Sequence, residues 1–249
     1  MIEFRGLHKS FGSLVVLNGV DLTVREGETL VLLGPSGTGK SVLIKHAIGL
    51  LEPDAGDVIV DGISVPSATP EDLARVRRNV GYVFQNAALF DSLTVLENLW
   101  LALDDDRNLR TPESCREEAA ELLRKVNLDR SVLDKYPAEL SGGMRKRVGV
   151  ARAIASKPKY LLYDEPTTGL DPVNAENIDK LIMELRREIG VTSIVVTHDL
   201  ESAFLVGDRI ALLFEGRIHA CGTPDEILAS TDPVVRKFVR RGRADAAVA

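Results

Sequence analysis

The feature that most limits the possible folds is the glycine-rich segment Gly34-Pro-Ser-Gly-Thr-Gly-Lys40-Ser41. It matches the pattern G-x-x-x-x-G-K-[ST] and directly follows an apolar run at residues 29–33. From residue 41 to residue 51 the spacing of apolar residues becomes helical. Glycines let the backbone wrap closely around a polyphosphate, so that successive N–H groups face the negative charge. The segment therefore predicts a strand, a phosphate-binding loop and a helix, in that order.

The same pattern assigns roles to two side chains of this loop. Lys40 is expected to reach the β- and γ-phosphates of a nucleotide, and the Ser41 hydroxyl is expected to hold Mg²⁺. Backbone groups make most of the remaining contacts in such a loop. We therefore predict that the whole loop binds the nucleotide, which gives the candidate residues Gly34, Pro35, Ser36, Gly37, Thr38, Gly39, Lys40 and Ser41.

A second candidate group follows the apolar run at residues 160–163, where Asp164 and Glu165 are adjacent. α/β sheets place their ligands at the carboxyl ends of the strands. Asp164 suits Mg²⁺ coordination, directly or through water, and Glu165 suits polarising an attacking water. Two adjacent acids alone are more often a solvated turn. Combined with the phosphate loop they predict nucleotide hydrolysis, and the absence of N-K-x-D argues against a GTPase.

The order of patterns along the chain predicts an α/β fold. Apolar alternation between residues 14 and 24 and a hairpin pattern at residues 58–63 predict an N-terminal antiparallel β layer. Residues 85–140 are rich in helix formers. From residue 141 to about residue 214, strand patterns alternate with helical patterns, which is typical of a mainly parallel core sheet covered on both faces.

These patterns predict one domain over residues 1–240. Residues 1–85 and 141–240 are expected to form the core with its β layer, and residues 86–140 a helical subdomain. The last residues, 241–249, are largely small and charged and are expected to form a flexible tail.

Composition excludes several classes of protein. A net charge of -6 argues against a general nucleic-acid binder, because affinity for a phosphate backbone comes from clustered Lys and Arg. Cys115 and Cys221 are the two cysteines, with no spacing that suggests a zinc site or a disulfide framework. Charged residues stand at the N-terminus where a signal peptide needs an apolar stretch, so no export is expected. Apolar runs are too short for a membrane span.

The segment Leu140-Ser-Gly-Gly-Met144 narrows the class further. A Ser-Gly-Gly at a helix start is itself an anion site, although a plain helix cap is the alternative. The segment resembles the L-S-G-G-Q signature of ABC-type ATPases, with Met144 where glutamine is usual. In that family the serine and the backbone of the second glycine carry the phosphate contact. Because Ser141 and Gly143 match those positions, activity is expected to survive the substitution.

Other elements of the family follow in order. Gln85 resembles the Q-loop glutamine, which joins Mg²⁺ and the attacking water to the helical subdomain. Asp171 resembles the D-loop aspartate, and His198 is similar to the switch histidine at the γ-phosphate. Phe11 matches the aromatic residue that stacks on adenine, with a core phenylalanine as the alternative. The resemblance covers about residues 2–225.

The resemblance implies a full set of site residues. The catalytic residues are expected to be Lys40, Gln85, Glu165 and His198, and the Mg²⁺ ligands Ser41, Gln85 and Asp164. Beyond the phosphate loop, the nucleotide site is expected to include Phe11, Val16, Val42, Ser141, Gly142, Gly143 and Asp171.

The resemblance also implies partners. In ABC ATPases the phosphate loop of one chain faces the Ser-Gly-Gly of another, so that two ATP molecules are sandwiched in a head-to-tail dimer. Since this chain has one copy of each motif, a homodimer is the simplest assembly that completes both sites. ATP and Mg²⁺ are the implied cofactors. A multi-span permease is expected to contact the helical subdomain at the cytoplasmic face of the inner membrane, and no nucleic-acid partner is expected.

Finer resemblances concern the cargo. The signature ending in Met144, together with residues 37–46, 84–90 and 232–238, resembles the ATPases of Mla/Mce-type transporters. This implies phospholipid or other lipid transport between membranes, with a membrane-anchored lipid-binding subunit. An importer ATPase for small polar solutes is the alternative. Two further alternatives belong to other functional classes. One is a non-transport ABC ATPase acting on nucleic acid, and the other is a regulatory ATPase without a permease.

Overall fold

The computed structural model describes residues 1–103 and 110–246, with side chains up to residue 240. Within these ranges the chain forms two β-sheets and a set of α-helices. The strands are β1 (Ile2–Phe11), β2 (Leu14–Val24), β3 (Thr29–Leu33), β4 (Ala55–Val60), β5 (Ile63–Ser64), β6 (Val80–Val83), β7 (Tyr160–Asp164), β8 (Thr192–Thr197), β9 (Arg209–Phe214) and β10 (Arg217–Gly222). The helices are α1 (Lys40–His46), α2 (Pro70–Asn79), α3 (Val95–Leu103), α4 (Arg116–Lys125), α5 (Gly142–Ile154), α6 (Pro172–Ile189), α7 (Leu200–Val206), α8 (Pro224–Leu228) and α9 (Pro233–Ala246).

The core sheet has the strand order β10-β9-β3-β8-β7-β6. Strands β9, β3, β8, β7 and β6 pair in parallel, and β10 is an antiparallel edge strand. The prediction of an α/β fold with a mainly parallel sheet is therefore confirmed. Because β3, β8 and β7 are neighbours, their carboxyl ends deliver Gly34, His198 and Asp164 to one edge of the sheet.

Both faces of the core sheet are buried. In β3, Leu30 and Leu32 join one hydrophobic cluster, whereas Val31 and Leu33 join the other. This division follows from the pleat, which points successive side chains to opposite faces. The first cluster also contains residues of the antiparallel sheet, α1 and α2, and the second contains residues of α3 to α9.

The antiparallel sheet has the order β2-β1-β4-β5. Its predicted alternation is present in β2, where Val20, Leu22 and Val24 are buried and the residues between them are exposed. Strands β4 and β5 form the predicted hairpin. Its two turn residues, Asp61 and Gly62, both have positive φ angles, as the Asp-Gly turns of tight hairpins require.

The segment of residues 86–140 is helical in its described part. It contains α3, α4 and three short 3₁₀ turns, Glu113–Cys115, Arg130–Val132 and Pro137–Glu139. Its buried Leu99 and Leu123 belong to the same cluster as residues of α5 and the core sheet. The segment therefore shares a hydrophobic core with one face of that sheet, and its treatment as a separate subdomain stays a prediction.

The C-terminal helix extends further along the chain than the sequence pattern indicates. Helix α9 continues to Ala246, so the tail predicted from residue 241 overlaps its last turns, and residues 247–249 lie outside the described residues. Among the described residues, none of the helices combines the length and apolar character that crossing a bilayer requires.

One buried amide organises the loop before α3. Asn98 is 0% exposed, and its Nδ2 donates to the carbonyl oxygens of Phe90, Leu93 and Thr94 at 3.2, 3.1 and 2.9 Å. Its Oδ1 accepts a hydrogen bond from the Phe90 N–H at 2.9 Å. The Asn98 side chain thus pairs with backbone groups of Phe90, Leu93 and Thr94.

We predict that Asn98→Leu lowers the free energy of unfolding by about 2 kcal/mol, because it removes the side-chain partner of the Phe90 N–H and of the Leu93 carbonyl oxygen. Urea denaturation measures the change. Asn86→Ala is the matched control, since Asn86 is exposed and makes no side-chain hydrogen bond within the described chain; its effect is expected to stay within about 0.5 kcal/mol. Equal midpoints for the two variants would contradict this role for Asn98.

Candidate functional site

The phosphate loop leaves β3 at a position where only glycine fits. A Cβ on Gly34 would lie 2.3 Å from the Leu213 carbonyl oxygen of β9. At the other end of the loop, Gly39 has φ +94°, and a Cβ there would lie 2.6 Å from Cγ1 of Val16. Both contacts are far below van der Waals distance, so these two glycines are required by the packing of the loop against its neighbours.

Lys40 lies inside the loop and is 4% exposed. Its Nζ donates to the carbonyl oxygens of Gly34 and Pro35 at 2.8 and 3.0 Å and lies 3.4 Å from Oε1 of Glu165. Burial lowers the pKa of Lys40, and the carboxylates of Glu165 and Asp164 oppose that shift. The lysine therefore presents a desolvated cation at the loop, where it is suited to bind phosphate oxygens.

Asp164 joins the loop to a neighbouring strand. The Ser41 hydroxyl donates to Oδ1 of Asp164 at 2.5 Å, and the Tyr82 hydroxyl donates to Oδ2 at 2.9 Å. Burial and the Asp164 carboxylate raise the pKa of Tyr82, so its phenol keeps its proton and remains a donor. Asp164 is 5% exposed, and hydrogen bonds reach both its oxygens.

These groups fit the predicted Mg²⁺ ligands. A hydroxyl and a carboxylate are hard oxygen donors, and Mg²⁺ is commonly held by one or two carboxylates together with substrate phosphates. The described residues contain no group of three or more His, Cys, Asp or Glu side chains able to hold a metal by themselves. Ser41 and Asp164 would hold the ion jointly with the nucleotide. Bound there, it would neutralise charge on the β- and γ-phosphate oxygens.

Glu165 occupies a strained position directly after β7. Its φ is +50°, in the left-handed region that non-glycine residues rarely adopt. Its N–H donates to the Val196 carbonyl oxygen at 3.0 Å, which fixes the backbone against β8. This backbone conformation directs the side chain toward the loop, where Oε1 faces Lys40.

The second oxygen of Glu165 has two further contacts. The Thr168 hydroxyl donates to Oε2 at 3.0 Å, and Nδ1 of His198 lies 2.8 Å from the same oxygen. Glu165 is 8% exposed, so these groups and Lys40 replace the hydrogen bonds that water would otherwise donate to the carboxylate. Its orientation is therefore fixed from three sides.

A cavity of about 390 Å³ lies against these groups. Its lining includes many of the predicted site residues, namely Phe11, Val16, Ser36, Gly37, Gly39, Lys40, Ser41, Val42, Gln85, Glu165 and His198, together with Thr168. Phe11 is 48% exposed at its rim, with Nζ of Lys9 5.6 Å from the ring centroid. An exposed ring at a cavity rim is available for stacking, which disfavours its alternative assignment as a core residue.

Eight predicted residues do not line this cavity: Gly34, Pro35, Thr38 and Asp164, which belong to the loop and to the end of β7, and Ser141, Gly142, Gly143 and Asp171, which lie outside both. Ser141 caps α5 by accepting a hydrogen bond from the Met144 N–H at 3.2 Å. Asp171 caps α6 by accepting one from the Asn174 N–H at 3.0 Å. Within one chain both residues thus have the helix-cap role, and their contact with nucleotide in a second chain stays a prediction.

Three residues of the site were not predicted from the sequence. They are Tyr82, Thr168 and Lys146, whose Nζ donates to the backbone carbonyl oxygens of Gln85 and Glu165 at 2.5 and 3.2 Å. Tyr82 could be found only by knowing that β6 lies beside β7, because it pairs opposite Leu162. Lys146 stands two residues after Met144, and nothing local distinguishes it from the neighbouring basic residues.

We predict that Tyr82→Phe raises the Mg²⁺ concentration for half-maximal ATP hydrolysis by about tenfold, since a residue that orients a metal ligand tunes its affinity. A Mg²⁺ titration at saturating ATP measures the shift. Tyr163→Phe is the matched control, because Tyr163 is 0% exposed and its hydroxyl has no hydrogen-bond partner within the described residues. Identical titrations for the two variants would show that Tyr82 does not orient Asp164.

Comparison of the sequence with known families gives a clear match. The sequence model of the ABC transporter family matches residues 17–168. The chain is 41% identical over 242 residues to the probable ribonucleotide transport ATP-binding protein mkl of Mycobacterium tuberculosis, covering 97% of this chain and 67% of that protein. It is 39% identical to the osmoprotectant import ATP-binding protein OsmV of Salmonella typhimurium, covering 98% of this chain and 64% of OsmV.

A further relative is the sulfate/thiosulfate import ATP-binding protein CysA of Bradyrhizobium diazoefficiens, which is 43% identical over 92% of this chain and 65% of CysA. The chain thus spans about two thirds of the length of these relatives. Among solved structures, dimeric MJ0796, a bacterial ABC transporter cassette, superposes with a TM-score of 0.81 at 35% identity, covering 90% of this chain and 98% of that one.

Two more solved structures are similar. A dimeric post-hydrolysis state of MJ0796 bound to ADP and Pi has a TM-score of 0.80 at 34% identity, covering 90% of this chain and 98% of that one. CbiO1 of Clostridium perfringens, part of the ABC transporter complex cbiONQ, also has a TM-score of 0.80, at 29% identity over 99% of this chain and 98% of that one. The chain therefore belongs to the ABC transporter family, as an ATP-binding protein that hydrolyses ATP with Mg²⁺.

Proposed function

We propose that this chain is the motor of a membrane transporter and works as one half of a head-to-tail homodimer. One observation carries the proposal. Lys40, Glu165 and His198 meet at a single cavity, whereas residues 141–143 do not line it. A second copy of the chain would bring its own residues 141–143 to the open side of that cavity, and the two chains would complete two equivalent sites.

The contacts in the site support specific roles in hydrolysis. Lys40 binds the β- and γ-phosphates and stabilises the charge that develops between them. Glu165 polarises the water that attacks the γ-phosphate, and the proton of that water moves toward its carboxylate. His198 contacts the γ-phosphate while its Nδ1 remains at Glu165. Gln85 lines the same cavity and joins the attacking water to the segment that follows it.

The assembly has support from similar structures. MJ0796, which superposes on 90% of this chain, is described as dimeric, and one of its dimers holds ADP and Pi. In our proposal ATP closes the two chains over both nucleotides, and hydrolysis separates them. That separation is the movement that a transporter uses.

The surface after Gln85 is the proposed contact with a multi-span permease. Phe90 is 56% exposed, on the loop that Asn98 holds in place. An exposed aromatic residue on a fixed loop is a suitable anchor for a partner helix. CbiO1 is part of an ABC transporter complex, which supports our proposal that this chain binds a permease, at the cytoplasmic face of the inner membrane.

Two cargo classes are proposed, with unequal support. The relatives described above are named for ribonucleotide transport, osmoprotectant import and sulfate/thiosulfate import, which favours import of a small polar solute. Lipid transport of the Mla/Mce type, with a membrane-anchored lipid-binding subunit, is the second candidate. It is favoured by the signature ending in Met144 and by residues 37–46, 84–90 and 232–238. Small-solute import has the better support.

We predict that Glu165→Gln lowers kcat for ATP hydrolysis by about a hundredfold or more, because loss of a general base typically costs that much. The variant keeps the phosphate loop, so it should accumulate as a dimer in gel filtration with ATP and Mg²⁺. Lys40→Ala is the control, which is expected to stay monomeric because it loses phosphate binding. A Glu165→Gln protein that elutes only as a monomer with ATP and Mg²⁺ would contradict the homodimer.

Cargo is tested with the transporter complex reconstituted in vesicles. We expect import of one of three radiolabelled probes, glycine betaine, sulfate or a ribonucleotide, to depend on ATP, while a fluorescent phospholipid does not move between membranes. ATP-dependent movement of the phospholipid alone would establish the second candidate instead. Phe90→Asp serves as the coupling variant, and we expect it to abolish transport and to leave ATP hydrolysis by the isolated chain unchanged.

A further inference from the structure

A buried hydrogen bond joins α6 to α7 behind the site. Asp179 of α6 is 4% exposed and Ser202 of α7 is 3% exposed. The Ser202 hydroxyl donates to Oδ2 of Asp179 at 2.5 Å, whereas Oδ1 has no hydrogen-bond partner among the described residues. A carboxylate with one satisfied oxygen is costly to bury, so the Ser202 hydrogen bond is the side-chain contact that compensates Asp179 within the described residues.

Helix α6 connects Asp179 to the turn that contacts Glu165. The Thr168 hydroxyl donates to Oε2 of Glu165, and the chain then turns through Gly169 to the helix cap Asp171. Asp179 lies about two helical turns after that cap, at 3.6 residues per turn. A shift of α6 along its axis is therefore transmitted through a short turn to the hydroxyl that contacts Glu165.

From Ser202, the second helix leads to the same oxygen. Nδ1 of His198 lies 2.8 Å from Oε2 of Glu165, and the next residue, Asp199, caps α7 by accepting from the Glu201 N–H at 2.8 Å. Ser202 lies about one helical turn after His198. The Asp179–Ser202 hydrogen bond thus closes a ring of chain segments and hydrogen bonds that begins and ends at the Glu165 carboxylate.

A cavity of about 420 Å³ is lined by residues of α6, of α7 and of the segments that connect them to Glu165. Thr168 and His198 line both this cavity and the nucleotide cavity. The charged and titratable groups that line it with Asp179 are Glu176, His198, Asp199 and Glu201, and no described lysine or arginine is among them. Burial above all, with Asp199 and Glu176 adding to it, raises the pKa of Asp179 to about 6, and the Ser202 hydrogen bond opposes the rise.

We propose that Asp179 and Ser202 are positioning residues for ATP hydrolysis, which hold α6 to α7 and thereby set the Thr168 and His198 contacts on Glu165. The proposal rests on the role of Glu165 proposed above. The pair acts through geometry and does not touch nucleotide. Its effect should therefore fall on the chemical step and leave ATP binding at the phosphate loop unchanged.

Steady-state ATP hydrolysis by the full chain tests the pair. Asp179→Ala and Ser202→Ala are each expected to lower kcat about tenfold, with KM for ATP within about twofold of the wild type. The double variant should be no slower than the slower single variant, because both remove one contact. Lys180→Ala is the matched control, an exposed neighbour on α6 whose Nζ pairs with Glu176, and it should keep the wild-type kcat.

The pH profile separates positioning from simple packing. Above pH 6 Asp179 is ionised and its hydrogen bond from Ser202 is charge-assisted; as pH falls through 6 the carboxyl is protonated and that strength is lost. Asp179→Asn keeps an acceptor for Ser202 without titrating. The ratio of wild-type to Asp179→Asn kcat should be about 3 at pH 8 and fall to about 1 at pH 5.

Three results would overturn the proposal: wild-type kcat in both alanine variants, additive losses in the double variant, or a ratio that does not change with pH. The alanine variants are compared at temperatures at which circular dichroism shows them folded, and the asparagine variant supplies the test if either alanine variant fails to fold. The Glu165→Gln variant distinguishes a failure of the role proposed for Glu165 from a failure of the positioning role. Unimpaired hydrolysis in that variant removes the role of Glu165, whereas impaired hydrolysis with normal Asp179 variants removes only the positioning role.

Discussion

The pairing of Lys40 with Glu165 inside the protein is the interaction on which the rest of the site depends. Both residues are more than nine-tenths buried, and a buried charge persists only when another charge or hydrogen bonds compensate it. The sheet order supplies that compensation, because it places β3, β8 and β7 side by side and so brings the loop, His198 and Glu165 together. The charged residues of the site therefore depend on the parallel sheet to bring them together. The hydrophobic clusters on the two faces of the sheet stabilise it in turn.

What could be predicted from the sequence is what depends on contiguous residues. The phosphate loop works through its own backbone, so the segment Gly34 to Ser41 sufficed to locate it. Asp164 follows an apolar run, and its position at a strand end could be inferred from that run alone. Tyr82 is different, because its role depends on β6 lying beside β7, and strand order is a property of the whole sheet. The sequence shows Tyr82 only as one more aromatic residue of a strand.

Helix faces raise the same difficulty. Asp179 lies among the charged residues of α6, where an acid is usually solvated, and only the packing of α7 shows that it is buried. The helical character of the described part of residues 86–140 was predictable from its composition, but its shared core with the sheet was not. That shared core has a consequence for coupling. Lys146 of α5 donates to the backbone of both Gln85 and Glu165, so one ammonium group ties the start of the segment to the catalytic strand end.

The carboxylates at this end of the molecule differ in what compensates them. Glu165 has a cation, a hydroxyl and an imidazole as neighbours, and both oxygens of Asp164 accept hydroxyl hydrogen bonds. Asp179 accepts a hydrogen bond from one serine hydroxyl, and burial above all, with Asp199 and Glu176 adding to it, raises its pKa to about 6. Glu165 and Asp164 are thus held by partners, whereas the pKa of Asp179 lies close to neutral pH. The Asp179–Ser202 hydrogen bond closes the ring around Glu165. It therefore weakens as Asp179 is protonated between pH 7 and pH 5.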